Sequence, residues 1–335
     1  MFNHFGGHSA NCIWKCAADL LIAGDCEKQS TRLGESKELL HATVYLSDPR
    51  QRWVSARKPA ISPAFAIAEL FWICGGHSDS AFINYWNPSL PKFAGNAAKY
   101  HGAYGHRIRT QFGLDQLESA YRSLSQNPIS RQVVIQIWDP RTDLPVNKGE
   151  PMNDDIPCNI CSILKIRDNK LEWLQVIRSN DIFLGMPYNI IQFTTLQEIM
   201  AGWLNVNLGG YHQISDSLHA YDHDLEKYTT DNAADIPENT DNLAIEKSES
   251  DKALAEIYMR LNRLTNNKLT KVEFLSIAFS NPSNIPESFI NLLLICCAYA
   301  ARKRKWDELV RQSIAACTND TLVFAWALWA RNIRG

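Results

Sequence analysis

Residues 178–189 read Arg178-Ser179-Asn180-Asp181-Ile182-Phe183-Leu184-Gly185-Met186-Pro187-Tyr188-Asn189, and upstream stands Asp154-Asp155-Ile156-Pro157-Cys158-Asn159. The downstream run joins a basic and hydroxyl pair to a Gly-containing turn and an asparagine; the upstream run sets a cysteine behind a proline. From Pro187 to Trp203 the apolar residues Ile190, Ile191, Leu196, Ile199, Met200 and Trp203 recur at helical spacing, which places Asn189 in the first turn of a long buried helix. Asn159 to Ile166 and Leu171 to Arg178 are two apolar runs about Asp168-Asn169, a hairpin signal. Gln132 to Trp138 reads as a short β-branched strand, and this sheet is expected to carry the chemistry. Helices are expected around Trp14–Ile22, over Pro63–Cys74 with a stop at Gly75-Gly76, and near Leu114–Leu124 with a stop at Asn127-Pro128.

These residue types read as a nucleophile, an anion clamp and a base reader, a set that chemistry on a pyrimidine nucleotide would use. The C5 carbon of the ring is a poor nucleophile until a thiolate adds at C6 and turns the ring into an enolate. Cysteine suits that step because it deprotonates near neutrality, and nearby arginines are expected to lower its pKa. Cys158 is then the nucleophile, and Arg178 supplies both the field and a phosphate contact. The carboxamide of Asn189 offers one acceptor and one donor side by side, complementary to uracil N3–H and O4.

The constellation resembles the thymidylate synthase family, of the thymidylate synthase or pyrimidine nucleotide hydroxymethylase type. The likeness continues through Ser217-Leu218-His219-Ala220-Tyr221 downstream and through Ser130-Arg131 and Glu69-Leu70-Phe71-Trp72 upstream, in the family's order. It implies an α/β (α+β) fold with a mixed sheet, flanking helices and a dimer built sheet on sheet. The implied substrate is a pyrimidine nucleoside monophosphate, dUMP, and the implied cofactor is 5,10-methylenetetrahydrofolate. By the same resemblance Glu69 relays protons through water, Tyr104 stands near the C5 proton, and Asp181 with Gly185 belongs to the folate side of the site. Arg32 looks like a mobile phosphate-loop arginine, Arg131 like one donated across the dimer interface, and Arg178 with Ser179 like the main phosphate site. His219 and Tyr221 match the pair that holds the deoxyribose 3′-hydroxyl. Departures stand beside these matches. Asn159 occupies the place of a histidine that orders water, Gln132 that of a second interface arginine, and Ile177 that of a glutamine. Family members finish in a short apolar tail that closes the site over folate, whereas this sequence runs on to Arg334-Gly335.

The background composition is ordinary for a globular protein. The 335 residues are 45% hydrophobic and 21% charged, with a formal net charge of −2, so no global attraction to nucleic acid is expected and phosphate must be held by local arginines. The nine cysteines are scattered and odd in number, and are read as reduced thiols of a cytoplasmic protein. Cys158-x-x-Cys161 lacks a second pair at ligand spacing, so no metal is expected. The most apolar stretch, Phe289 to Ala301, is too short to span a bilayer, so no membrane association is expected. Between Thr229 and Asp251 polar residues dominate as in a solvated linker, which divides the sequence into a catalytic domain at 1–235 and a helical domain at 236–335. In the latter, helices are expected over Ala253–Leu264, Lys271–Phe279, Glu287–Ala301, Trp306–Ala316 and Leu322–Ile333. The leading expectation is folate-dependent methylation of a deoxyuridylate at C5, with hydroxymethylation as the alternative. A different class of reading is a nucleotide-binding sensor whose C-terminal helices bind a protein partner; intact Cys158, Glu69 and Tyr104 weigh against it.

Overall fold

A computed structural model describes residues 3–24, 26–31, 34–146, 149–228, 235–281 and 283–332. In chain order its principal elements are β1 (Asn3–Gly7), α1 (Ala10–Ala23), β2 (Glu27–Thr31), β3 (Gly34–Leu46), α2 (Pro63–Cys74), α3 (Ser80–Trp86) and α4 (Gln116–Gln126). There follow β4 (Val134–Gln136), β5 (Asn159–Arg167), β6 (Lys170–Asp181), α5 (Met186–Leu204) and β7 (Asn207–Tyr221). The C-terminal part holds α6 (Lys247–Leu264), α7 (Lys271–Phe279), α8 (Glu287–Lys303), α9 (Asp307–Ala316) and α10 (Asp320–Asn332).

The strands of the described residues form one mixed sheet in the order β1-β3-β7-β6-β5-β4, with β2 on the edge of β3. β6 and β7 run parallel, while β5–β6 is a hairpin closed by Asp168 and Asn169 with φ of 49° and 55°. Asp and Asn tolerate that left-handed conformation, and two such residues in succession make the turn whose twist matches the strands. The parallel pairing of β6 with β7 needs a crossover, which α5 supplies. α5 starts with Pro187 in its first turn and ends at Asn205 in a left-handed cap. It is buried on nearly every side because the sheet, α2, α4 and α6 all pack on it.

α2 begins where Ser62 Oγ accepts the Phe65 N–H at 3.3 Å and Pro63 presets the first turn. It lies between α5 and the C-terminal helices α6 and α8. Phe71 on α2 and Phe289 on α8 are almost fully enclosed in one continuous apolar core, each stabilising by roughly 1.5–3 kcal/mol before chain entropy. Trp14 ties the N-terminal helix to the sheet: its indole N–H donates to the Ile182 carbonyl at 2.6 Å, and its ring meets Phe183 edge-on.

Residues 235–246 are polar in sequence and many of them exposed, yet the segment is bonded along the body of the protein. Asn239 N–H donates to Gln51 Oε1 at 2.9 Å, and Leu243 N–H donates to Glu198 Oε1 at 3.1 Å beneath the side chains of Arg50 and Arg52. Leu243 itself is buried. The segment crosses α5 where residue 202 has no side chain: a Cβ there would come within 2.5 Å of the Ala244 carbonyl carbon and the Ile245 nitrogen. Gly202→Ala is therefore expected to push the segment off the helix and lower stability by about 1–3 kcal/mol. An unchanged urea midpoint for that variant would contradict the packing.

Candidate active site

The loop that ends in Cys158 is held by the strand that carries Arg178. Arg178 N–H donates to the Cys158 carbonyl at 2.9 Å, while its guanidinium donates to the Pro157 carbonyl at 3.0 Å and the Ile156 carbonyl at 3.1 Å. The cation is thus fixed to the backbone that presents the thiol. Arginine was expected to depress the thiol pKa. Burial instead pushes the Cys158 thiol up, Arg178 opposes the rise, and Asp155 and Asp181 add to it. Without ligand, the desolvation of a thiolate outweighs one guanidinium.

The opposite wall is built on a buried charge cluster. Arg107 forks onto Asp143 at 2.7 and 2.9 Å and donates to the His101 carbonyl at 2.9 Å. This holds the turn that begins at Gly102, whose N–H donates to Asp155 at 2.7 Å. Gly105 allows the turn to touch α2, since a Cβ there would lie 2.6 Å from the Ile73 carbonyl oxygen. Between these contacts stands Tyr104, within electrostatic reach of Cys158 and Glu69 and hydrogen-bonded to Asn159; burial drives its hydroxyl far above the usual phenol range.

Glu69 projects from α2 toward α5, where Gln192 donates to its carboxylate. Burial pushes the Glu69 carboxyl up to about 8, with the Gln192 hydrogen bond opposing. The native state therefore keeps a proton that the unfolded chain releases near 4.5, and stability should fall as pH rises between these values. Glu69→Gln should abolish that component, on the order of a few kcal/mol across the window. Urea denaturation at pH 5 and pH 8.5 checks this: equal pH dependence in the two proteins would refute a buried, protonated Glu69.

Asn189 lies at the N-terminus of α5 and belongs to a chain of buried amides. Its Oδ1 accepts from Asn159 Nδ2 at 3.1 Å, and its Nδ2 donates to Asn180 Oδ1 at 3.2 Å. Asn159 Oδ1 accepts from Gln175 at 2.8 Å, and Asn180 donates to Ser215 at 3.0 Å. Asn159, where the resemblance has a histidine, is thus a fully buried link between Tyr104 and Asn189.

The third group lines up across β6 and β7. Ser179 pairs with Ser217, and Asp181 with His219. Asp181 Oδ1 accepts the N–H groups of Phe183 at 2.7 Å and Leu184 at 2.9 Å, and Gly185 N–H closes the turn on the Asp181 carbonyl at 2.9 Å. Burial raises the Asp181 carboxyl, against the Leu184 N–H and His219. His219 and Tyr221 face one another edge-on at 5.5 Å. Asp181 is felt by both Cys158 and His219, which links this group to the thiol. Arg131 stands exposed before the edge strand β4. Arg32 lies outside the described residues.

Five residues of this neighbourhood escaped the sequence reading: Gln175, Asn180, Gln192, Tyr188 and Arg57. Tyr188 accepts the Ser62 N–H at 3.0 Å and lies near Arg57 and Glu69. The available signal was position: Gln175 alternates with Trp173 and Ile177 on the buried face of β6, and a polar side chain at an inward register needs a partner.

The described residues thus set a thiol, a protonated carboxyl and a carboxamide around the crossover helix of a mixed α+β sheet. The family model described as thymidylate synthase matches residues 26–270, and the chain belongs to that family. It is similar to a deoxyuridylate hydroxymethyltransferase of Bacillus phage SP01, 34% identical over 55% of this chain and 50% of that one. A putative thymidylate synthase of Methanosarcina barkeri is 33% identical over 39% of this chain and 58% of that one. The thymidylate synthase structure from T4 phage superposes with a TM-score of 0.52 at 22% identity, covering 64% of this chain and 78% of the other, which bears out the fold. The chain spans about half the length of the phage relatives it matches. Among the described residues no helix is long and apolar enough to cross a membrane.

Proposed function

We propose that the protein transfers one carbon to C5 of a deoxyuridine monophosphate with 5,10-methylenetetrahydrofolate as the donor. The observation that carries this reading is the physical linkage of Cys158, Arg178, Tyr104 and Asn189 through Asn159 and the 155–158 loop, with Glu69 within electrostatic reach of Tyr104. Arg178 with Ser179 would bind the phosphate, joined by Arg32 and by Arg131 of a second copy, and His219 with Tyr221 the sugar hydroxyl. Cys158 Sγ would bond C6 of the ring, so that electron density moves to C5 and O4. The N–H of Asn189 stabilises the charge at O4, and Glu69, protonated near neutrality, moves a proton through water to and from the base. Tyr104, a neutral hydroxyl, would stand beside the C5 proton, which leaves through water once the new bond at C5 has formed, and the Cys158 Sγ–C6 bond breaks at the end to restore the ring and the thiolate.

Asp181 fits the donor-rich edge of a pterin. Its Oδ1 is taken by two backbone N–H groups, its Oδ2 accepts no hydrogen bond among the described residues, and Leu184 beside it is 39% exposed as an apolar contact. Methylenetetrahydrofolate, when bound, supplies the carbon. Gly185 closes the turn that shapes this wall.

Methylation is the leading product. Hydroxymethylation is the second reading, favoured by the likeness to phage deoxyuridylate hydroxymethyltransferases and by Asn159 in place of a water-ordering histidine. The proposed assembly is a homodimer in the cytoplasm, which the nine free thiols support. Incubation with deoxyuridylate and methylenetetrahydrofolate, followed by mass spectrometry of the base, should show a gain of a methyl or a hydroxymethyl group. An unmodified base under conditions of verified nucleotide binding would favour a binding protein instead.

A further inference from the structure

Resting on the reading of Asn189 as the base reader, we propose that the uracil preference of its amide is set at a distance by the indole of Trp173, relayed through Gln175 and Asn159. A carboxamide can be turned over at almost no change of shape, exchanging its donor and acceptor. One orientation of Asn189 accepts from N3–H and donates to O4, as uracil requires; the other suits cytosine, with N3 as acceptor and the 4-amino group as donor. What holds the first orientation is therefore a specificity determinant.

The contacts of the relay run in one sense throughout. Trp173 Nε1–H donates to Gln175 Oε1 at 3.2 Å, Gln175 Nε2 donates to Asn159 Oδ1 at 2.8 Å, and Asn159 Nδ2 donates to Asn189 Oδ1 at 3.1 Å. Trp173, Gln175 and Asn159 are at most 1% exposed, so no water can replace a mismatched partner. Turning over any one amide would set oxygen against oxygen and N–H₂ against N–H₂, so Gln175, Asn159 and Asn189, with Asn180 bonded to Asn189, keep or reverse their sense together.

Only one group in the relay is unable to reverse. The indole N–H is a donor and never an acceptor, so Gln175 must present its oxygen to Trp173 and its amine to Asn159. Every other terminus is ambidextrous. Ser162 Oγ, 2.6 Å from Gln175 Oε1, can donate or accept, as can the Tyr104 hydroxyl at Asn159; beyond Asn180, Ser215 Oγ also accepts from Gln213 at 3.2 Å, and Gln213 accepts from the Tyr211 hydroxyl at 3.0 Å, a group that can itself reverse. Trp173 is held in place by the register of the sheet, with Leu164 of β5 on one side and Tyr211 of β7 on the other. It acts as a positioning residue that never touches the base.

The test is the ratio of the dissociation constants of dUMP and dCMP, measured by calorimetry on the full chain. Trp173→Phe keeps the aromatic packing and removes the donor, leaving Ser162 to serve either sense; Gln175→Met keeps the volume and cuts the relay. Both should shrink the uracil-over-cytosine ratio by roughly tenfold, chiefly through tighter dCMP binding, a gain that general loosening would not produce. Two different variants guard against one failing to fold. Asn189→Ala serves as the reference. If it leaves the ratio unchanged, the base-reading assignment fails and the relay with it. If Asn189→Ala collapses the ratio while Trp173→Phe and Gln175→Met weaken both nucleotides equally or leave the ratio intact, the relay is overturned and the base reader stands.

Discussion

Cys158→Ser protein is expected to bind deoxyuridylate with near-native affinity and to form product at least about a thousandfold more slowly. The substitution replaces one atom at the end of a loop whose backbone is fixed by Arg178, so the carbonyl contacts at residues 156, 157 and 158 should survive it. Chemistry separates the two side chains. Burial already raises the Cys158 thiol in the unliganded protein, and the same desolvation acts on an alkoxide that starts from a much higher pKa. The remaining clamp, Arg178 with Ser179, carries binding without needing the sulfur. Stopped-time product analysis beside a nucleotide titration checks both halves. Product formation at the unsubstituted rate would remove Cys158 from the mechanism, while a loss of binding as large as the loss of rate would make it a structural thiol.

Helix periodicity and turn chemistry made much of this architecture readable in advance. α2 and α7 fall on their expected boundaries, and the hairpin turns at Asp168-Asn169 as its two apolar runs require. β3 and β7 did not show, because their patterns break the usual sign of burial. On β7 the inward positions are Tyr211, Gln213 and Ser215, while Ile214 is half exposed, so a hydropathy reading sees a polar loop. β3 takes a positive φ at His41 without a change of register, and the imidazole there comes within 2.9 Å of Asp216. The 235–246 segment misleads for a related reason: its backbone N–H groups donate to Gln51 and Glu198 and the Asn242 side chain accepts from Arg50, and those partners are far away in sequence. At the candidate site, motif order singled out Cys158, Arg178 and Asn189 but not what fixes their orientation. The amides of Gln175 and Asn180 are polar residues at inward registers of β6, and only the paired strands show that each meets another amide.

Mixing Cys158→Ser with Arg131→Ala protein should restore activity that neither shows alone. Arg131 stands exposed before β4 at one edge of the sheet, near Ile129 and Val134, which are 81% and 50% exposed. Cys158, partly exposed, lies in the loop on which Arg178 converges. If the arginine serves the site of a second copy across a two-fold axis, each site combines the thiol of one subunit with Arg131 of the other. In a mixed dimer, the thiol of the Arg131→Ala subunit then meets the arginine of the Cys158→Ser subunit, and the second site lacks both. Equal mixing with free exchange yields mixed dimers in half of the population with one intact site in each, so roughly a quarter of the native activity should return. Gln132 beside Arg131 carries no charge, which leaves Arg131 the larger share of any contribution from this loop and makes its removal costly on its own. Exchange can be followed independently by native mass spectrometry of the two variants. If mixed dimers form and no activity returns, Arg131 does not complete the partner's site, and it is a surface charge of its own subunit.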